Sequence, residues 1–257
     1  MTVENPLSES NRSFWRPTGA SASSIALVAL PGFLLGAYAP EIKNDLSFGD
    51  TELGLILTFG YLVSSIVMST FGGTADRRGP KQVLRYGVAI AAIAAFLTGV
   101  LGDTFILLLL FIGLNRVAEG IIHPATNSLI SSSVVLEKQG MAMAVKQSAV
   151  PFATALAGFA VPTFGGLIGW KGTFLLVAAL ALPAWLFIPS VSPTKKGTYS
   201  SRREMWRLSH LRLLALAGAF SAAAVVTVSG FLTTSAKNAG YSNGTAGLIL
   251  GLGGLLM

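Results

Sequence analysis

An all-α, polytopic membrane helix bundle is the fold class this sequence predicts, on three observations. Mean hydropathy is +0.66. Of 257 residues, 52% are hydrophobic and only 11% are charged, whereas soluble domains carry about 25% charged residues. Hydrophobic stretches near the ~20 residues that cross a hydrocarbon core recur along the chain. There are eight: residues 23–40, 52–71, 83–102, 104–131, 140–168, 172–189, 211–235 and 244–257. The absence of cysteine excludes a disulfide scaffold, a thiolate metal site and a cysteine nucleophile. The net charge of +7 does not require nucleic acid, because the basic residues cluster at segment ends, where they set membrane topology.

Residues 1–22 are polar and lack the basic start and apolar run of a signal peptide, so they are expected to form a flexible, retained cytoplasmic tail. The connections that follow are short, as between antiparallel neighbours. The exception is 190–210, a polar linker rich in basic residues, which separates a six-helix unit (23–189) from the start of a second helical unit (211–257). With the N-terminus inside, the inner segments hold 13 of the 18 basic residues and the outer ones three, Lys43, Lys171 and Lys237. Arg116 and Lys146 lie within the membrane. The excess of positive charge inside predicts a cytoplasmic N-terminus.

After the second segment comes Gly72-Gly73-Thr74-Ala75-Asp76-Arg77-Arg78-Gly79-Pro80-Lys81. Gly72 and Gly73 are expected to let the second helix approach a neighbour closely. Gly79 is suited to a reversal at positive φ, and Pro80 to the first turn of the third helix. Asp76, the one acid among four nearby basic residues, is expected to be paired or to sit near a helix N-terminus. A generic basic turn would share these features.

In the fourth segment Arg116, Glu119, His123 and Asn127 follow one another at spacings of 3, 4 and 4, which places them on one helical face. Arg116 lies about 18 Å from the outer end at 1.5 Å per residue. Ionisable groups at that depth cost about 2.5–3.5 kcal/mol on insertion scales, so the stripe is expected to face a polar cavity. An ion pair that merely orients the helix, and a hydrogen-bonded packing role for His123, remain alternatives. In the fifth segment, a hairpin turning near 135–136 brings Lys146 and Gln147 level with this stripe. Lys146 either snorkels to the cytoplasmic surface or joins Arg116 and Gln147 in a cavity against Glu119. With His123 neutral, the second arrangement carries a net charge of +1 and leans towards a small anionic substrate.

The final segment, from Gly244 to Met257, holds 14 residues. That is ~21 Å of helix, so the chain is expected to be a fragment that stops within its eighth helix. A short repeat agrees with a second unit. Lys43-Asn44 followed by Gly54-Leu-Ile-Leu57 recurs as Lys237-Asn238 followed by Gly247-Leu-Ile-Leu250. Secondary transporters are commonly built from such repeats.

The 72–81 stretch resembles the G-x-L-A-D-R-x-G-R-K loop between the second and third helices of the major facilitator superfamily. Gly72, Ala75, Asp76, Arg77, Gly79 and Lys81 match, while Thr74 and Pro80 depart from the pattern. The fourth helix is similar to the family's R-x-x-Q-G followed by Pro, through Arg116, Gly120 and Pro124, with Glu119 in place of Gln. Pro162, Gly165 and Gly166 match part of the family's antiporter signature, but Val161 does not. The resemblance implies an N-terminal half plus the start of a C-terminal half. It also implies that Asp76 and Arg77 belong to a gating latch between halves, and that Arg116 acts in proton coupling or substrate binding.

The leading expectation is therefore a secondary transporter of the bacterial inner membrane, a monomer when full length. It would use no cofactor or metal, and protons would be the coupling ion. No G-x-x-x-x-G-K-[ST] phosphate loop occurs, so ATP is not the direct energy source. A drug or metabolite efflux antiporter and a non-transporting receptor or scaffold are the alternatives. An intramembrane enzyme is disfavoured by the lack of G-x-S-x-G and H-E-x-x-H motifs.

Overall fold

A backbone inside a bilayer must satisfy its own hydrogen bonds, which leaves helices or closed barrels. The computed structural model describes residues 6–189 and 209–256, without the side chains of 6–13 and of Asp76, and all regular structure among them is helical. The helices are α1 (Pro6–Ala37), α2 (Ala39–Leu46), α3 (Asp50–Phe71), α4 (Thr74–Arg78), α5 (Pro80–Leu101) and α6 (Phe105–Ser133). They continue with α7 (Leu136–Gln147), α8 (Ala149–Leu186), α9 (Ser209–Asn238) and α10 (Asn243–Leu256). Six helical stretches are long and apolar enough to cross a membrane.

One stretch, Leu136–Leu186, has 51 residues, about twice what a crossing needs. It is two crossings joined at Gly169, whose φ of 63° and ψ of −174° break the helix. A side chain there would be strained, since L-residues rarely take positive φ. The break falls where the sequence separates its fifth and sixth segments.

The start of the first helix differs from expectation. Residues 6–22 are not a loose tail, because α1 begins at Pro6. Phe14 is buried with Ile130 of α6, Val134 just past its end and Ala142 of α7, and Thr18 and Ser21 are fully covered. Helix–helix packing overrides local polarity here. The linker reading for 190–210 falls almost wholly outside the described residues.

Small residues set the spacing between helices. A Cβ on Gly87 of α5 would lie 2.5 Å from the Ile122 side chain of α6. One on Gly158 of α8 would lie 2.5 Å from Cα of Gly251 and 2.6 Å from the Gly247 carbonyl, both in α10. In α1, a Cβ on Gly36 would meet the Ser229 carbonyl of α9 at 2.5 Å, and the Thr233 hydroxyl donates to the Gly36 carbonyl. Close backbone approach through small residues is the usual basis of helix association in lipid. The Gly36 and Gly158 contacts join α1 and α8 to α9 and α10.

Candidate functional site

The 72–81 stretch folds as a turn, the short α4, and the start of α5. Gly79 has φ 88° and its N–H closes α4 by donating to the Ala75 carbonyl at 2.9 Å, while Pro80 opens α5. Both features agree with the sequence. The expectation for Gly72 and Gly73 does not hold. A Cβ on Gly72 would meet only the Met68 carbonyl of its own helix at 3.2 Å, and one on Gly73 would meet nothing within 4 Å. Among the described residues these glycines shape the turn and meet no neighbouring helix. Arg77 is exposed and Lys81 half-buried. Asp76 lies in α4, and the pairing expected of its side chain falls outside the described residues.

The helical stripe of the fourth segment lies on α6, which starts at a Thr104 cap whose hydroxyl accepts from the Leu107 N–H at 3.3 Å. Arg116 Nη1 donates to Glu119 Oε2 at 2.6 Å, with the two side chains only 2% and 12% exposed. The i,i+3 spacing makes this pair, and charge-assisted hydrogen bonds are the strong ones. The guanidinium also lies 4.2 Å from the Tyr61 ring centroid of α3, within cation–π range. Two glycines leave room for it. A Cβ on Gly32 of α1 would fall on the guanidinium, and one on Gly60 of α3 would lie 2.9 Å from Arg116 Cγ. His123 Nε2 stands 4.0 Å from Glu119 Oε1 at 22% exposure.

Lys146 does not snorkel. It is 3% exposed and donates to Asn127 Oδ1 at 2.5 Å, so the level expected from the hairpin brings α7 and α6 together. Arg116, Lys146 and Gln147 do not share one exposed face in this conformation, since the first two are buried. Gln147 is exposed and lines a space of about 1070 Å³ with residues of α1, α8, α9 and α10, a wall that includes neither Arg116 nor Lys146. Tertiary packing has drawn both cations into the protein. Tyr61, Gly32 and Gly60 are the participants that sequence reasoning missed. A local signal existed only for Tyr61, as an aromatic residue with a polar tip in an apolar helix.

The opposite end of the bundle closes through polar contacts. Asp45 accepts from Trp170 Nε1 at 2.8 Å. The Tyr38 hydroxyl lies 2.9 Å from the Ala160 carbonyl, to which it donates, and 3.0 Å from the Thr173 hydroxyl. Asn243 Nδ2 donates to Glu41 Oε1 at 3.1 Å, joining α2 to α10. Both Lys-Asn pairs of the short repeat, Lys43-Asn44 and Lys237-Asn238, line one cleft here of about 650 Å³.

Burial pushes the Glu41 carboxyl above its usual range. Asp45 adds to that shift, while the Asn243 hydrogen bond and Lys237 oppose it. A carboxyl raised in the packed state contributes stability below its ordinary pKa and loses it as pH rises through the raised value. Amide exchange in α2 and at the start of α10 is therefore expected to slow on acidification from about pH 7 to about pH 4, once intrinsic rates are removed. Glu41→Gln is expected to flatten that dependence. Equal dependence in both proteins would show that Glu41 is not its source.

A sequence profile described as Major Facilitator Superfamily matches residues 22–257. The chain belongs to this superfamily. An "MFS-type efflux pump" of Mycolicibacterium smegmatis is 26% identical over 172 residues, covering 66% of this chain and 40% of that one. The "Probable sulfoacetate transporter SauU" of Cupriavidus necator is 28% identical over 146 residues, covering 56% of this chain and 33% of that one. The chain thus spans less than half the length of these two superfamily relatives. Among solved structures, a bacterial homolog of the human lysosomal transporter Spinster, inward-facing and unoccupied, superposes with a TM-score of 0.75 at 20% identity. That match covers 92% of this chain and 59% of that one and shows a shared fold.

Proposed function

We propose that the protein is a secondary transporter, not an enzyme, which moves a small organic anion across a membrane by alternating access with protons as the coupling ion. The observation that carries this reading is the charge of the interior. Two cations, Arg116 and Lys146, are buried against one acid, Glu119, and the partner of Lys146 among the described residues is a neutral amide. A buried cation without a counter-ion is costly, and an anionic substrate would supply one. The relative described as a sulfoacetate transporter accords with an anionic substrate.

In this reading 23–189 form the first half, 190–210 the linker and 211–257 the start of the second half. Gly72, Asp76, Arg77, Gly79 and Lys81 gate the cytoplasmic side. Arg116, Glu119, His123, Asn127, Lys146 and Gln147 line the substrate or proton path, exposed when the halves rock. The distribution of basic residues supports a cytoplasmic N-terminus, and the compact loops support a bacterial inner membrane. Close contacts of α1 with α9 and of α8 with α10, with the 1070 Å³ space at Gln147, support a conformation closed at the Asp45 end.

The test uses the protein of the whole reading frame, purified and reconstituted in vesicles, with a panel of small carboxylates and sulfonates. An imposed pH gradient is expected to drive accumulation, and Lys146→Ala to slow it about tenfold, the effect of ~1.4 kcal/mol. Transport indifferent to the gradient would remove proton coupling, and normal rates in Lys146→Ala would remove that residue from the path. Efflux of a drug or metabolite by antiport is the second reading, favoured by the efflux-pump relative. Exchange of hydrophobic compounds in place of anions would select it. Binding without transport would point to a receptor or scaffold.

A further inference from the structure

Where the 72–81 loop enters the membrane, the start of α5 and the end of α8 enclose a cavity of about 640 Å³. Arg78, Lys81, Arg85, Tyr86 and Trp185 line it, with Ala89 deeper along α5, and none of its described lining residues is acidic. The Arg85 guanidinium carbon lies 4.4 Å from the Trp185 ring centroid, an arrangement that orients a planar cation. Its Nε is buried and has no hydrogen-bond partner among the described residues. The N-terminus of the 22-residue α5 adds positive partial charge to the same region. The Tyr86 hydroxyl accepts from Gln82 Nε2 at 3.3 Å, and its ring is largely exposed.

Three features define what fits. The charged side chains demand an anion, and the free Nε of Arg85 together with its fixed plane suits an oxyanion such as phosphate. The cavity then runs from these cations to apolar Ala89 and the faces of two aromatic rings, so the ligand must carry apolar matter beside its charge. Tyrosine and tryptophan favour the membrane–water boundary, and basic pockets between membrane helices bind anionic headgroups.

We propose that this cavity binds the phosphodiester headgroup of an anionic membrane lipid, with Arg85 on the phosphate and the acyl chains passing Ala89 along α5 and α8. A free phosphate ion shares the anionic chemistry but would leave the apolar wall unused. The bound lipid bridges α5 to α8, away from the Arg116 cluster.

The protein of the whole reading frame is placed in phosphatidylcholine vesicles containing brominated phosphatidylglycerol, and quenching of Trp185 is read as the difference between the parent and Trp185→Phe. Half-quenching is expected at about a fivefold lower mole fraction than with brominated phosphatidylcholine for each basic charge engaged. Each of Arg85→Gln and Arg78→Gln should remove about one such factor. Arg78 is exposed, so its variant does not disturb the core. Lys171→Gln, at the other end of the bundle, should leave the preference intact. Equal quenching by the two lipids, or an unchanged preference in both arginine variants, would overturn the proposal. Relief of the quenching by millimolar inorganic phosphate would also overturn it, assigning the cavity to the free ion.

Discussion

Arg116→Ala in the protein of the whole reading frame is expected to lower the initial rate of anion transport by about 100-fold or more, while protein still reaches the membrane. Breaking a buried ion pair by removing one partner costs about 3–5 kcal/mol, because the remaining charge is left uncompensated, and 1.4 kcal/mol is tenfold in a constant. Arg116 holds Glu119 at 2.6 Å and lies under the Tyr61 ring, so its loss also empties the slot made by Gly32 and Gly60. Structural and transport roles separate in the double variant Arg116→Ala/Glu119→Ala, which removes both charges. Thermal stability is expected to recover in part, while transport stays lost. A double variant that transports at the parent rate would reduce the pair to an orienting ion pair.

Gly158→Leu is expected to part α8 from α10. The first side-chain atom alone would lie 2.5 Å from Cα of Gly251 and 2.6 Å from the Gly247 carbonyl, and neither can give way as a flexible side chain could. Overpacking costs about 1–3 kcal/mol in well-packed cores and more against backbone. At roughly 2–4 °C per kcal/mol for a chain of this size, the melting temperature in detergent should fall by about 5 °C or more. Gly166→Leu on the same helix is the matched control, since nothing lies within 4 Å of its Cβ position. Equal losses in the two variants would mean that helix propensity or lipid contact, and not the seam, sets the effect.

The 72–81 stretch shows how far spacing carries a prediction. The positive φ of Gly79 and the helix start at Pro80 are local consequences of residue type, and both appear as expected. The role given to Gly72 and Gly73 depended on which helix lies beside them, which no local pattern records. The polar cluster divides in the same way. Arg116 and Glu119 pair because three residues of helix bring them together, and Lys146 finds Asn127 because a hairpin of known length sets its level. The burial of Arg116 and Lys146 was not legible in the same way, since it depends on the packing of α1, α3 and α7 around α6.

By itself the sequence determined the crossings, the break near Gly169, the reversal at Gly79 and the i,i+3 ion pair. Each follows from hydropathy over about 20 residues or from bonds within one turn of helix. The tertiary structure alone decided that residues 6–22 continue the first helix, that Gly32, Gly60 and Tyr61 enclose Arg116, and that Gly158 meets Gly247 and Gly251. These contacts join residues far apart in the chain, and they are fixed by how closely backbones and rings can approach, a property of the packed bundle and of no single segment.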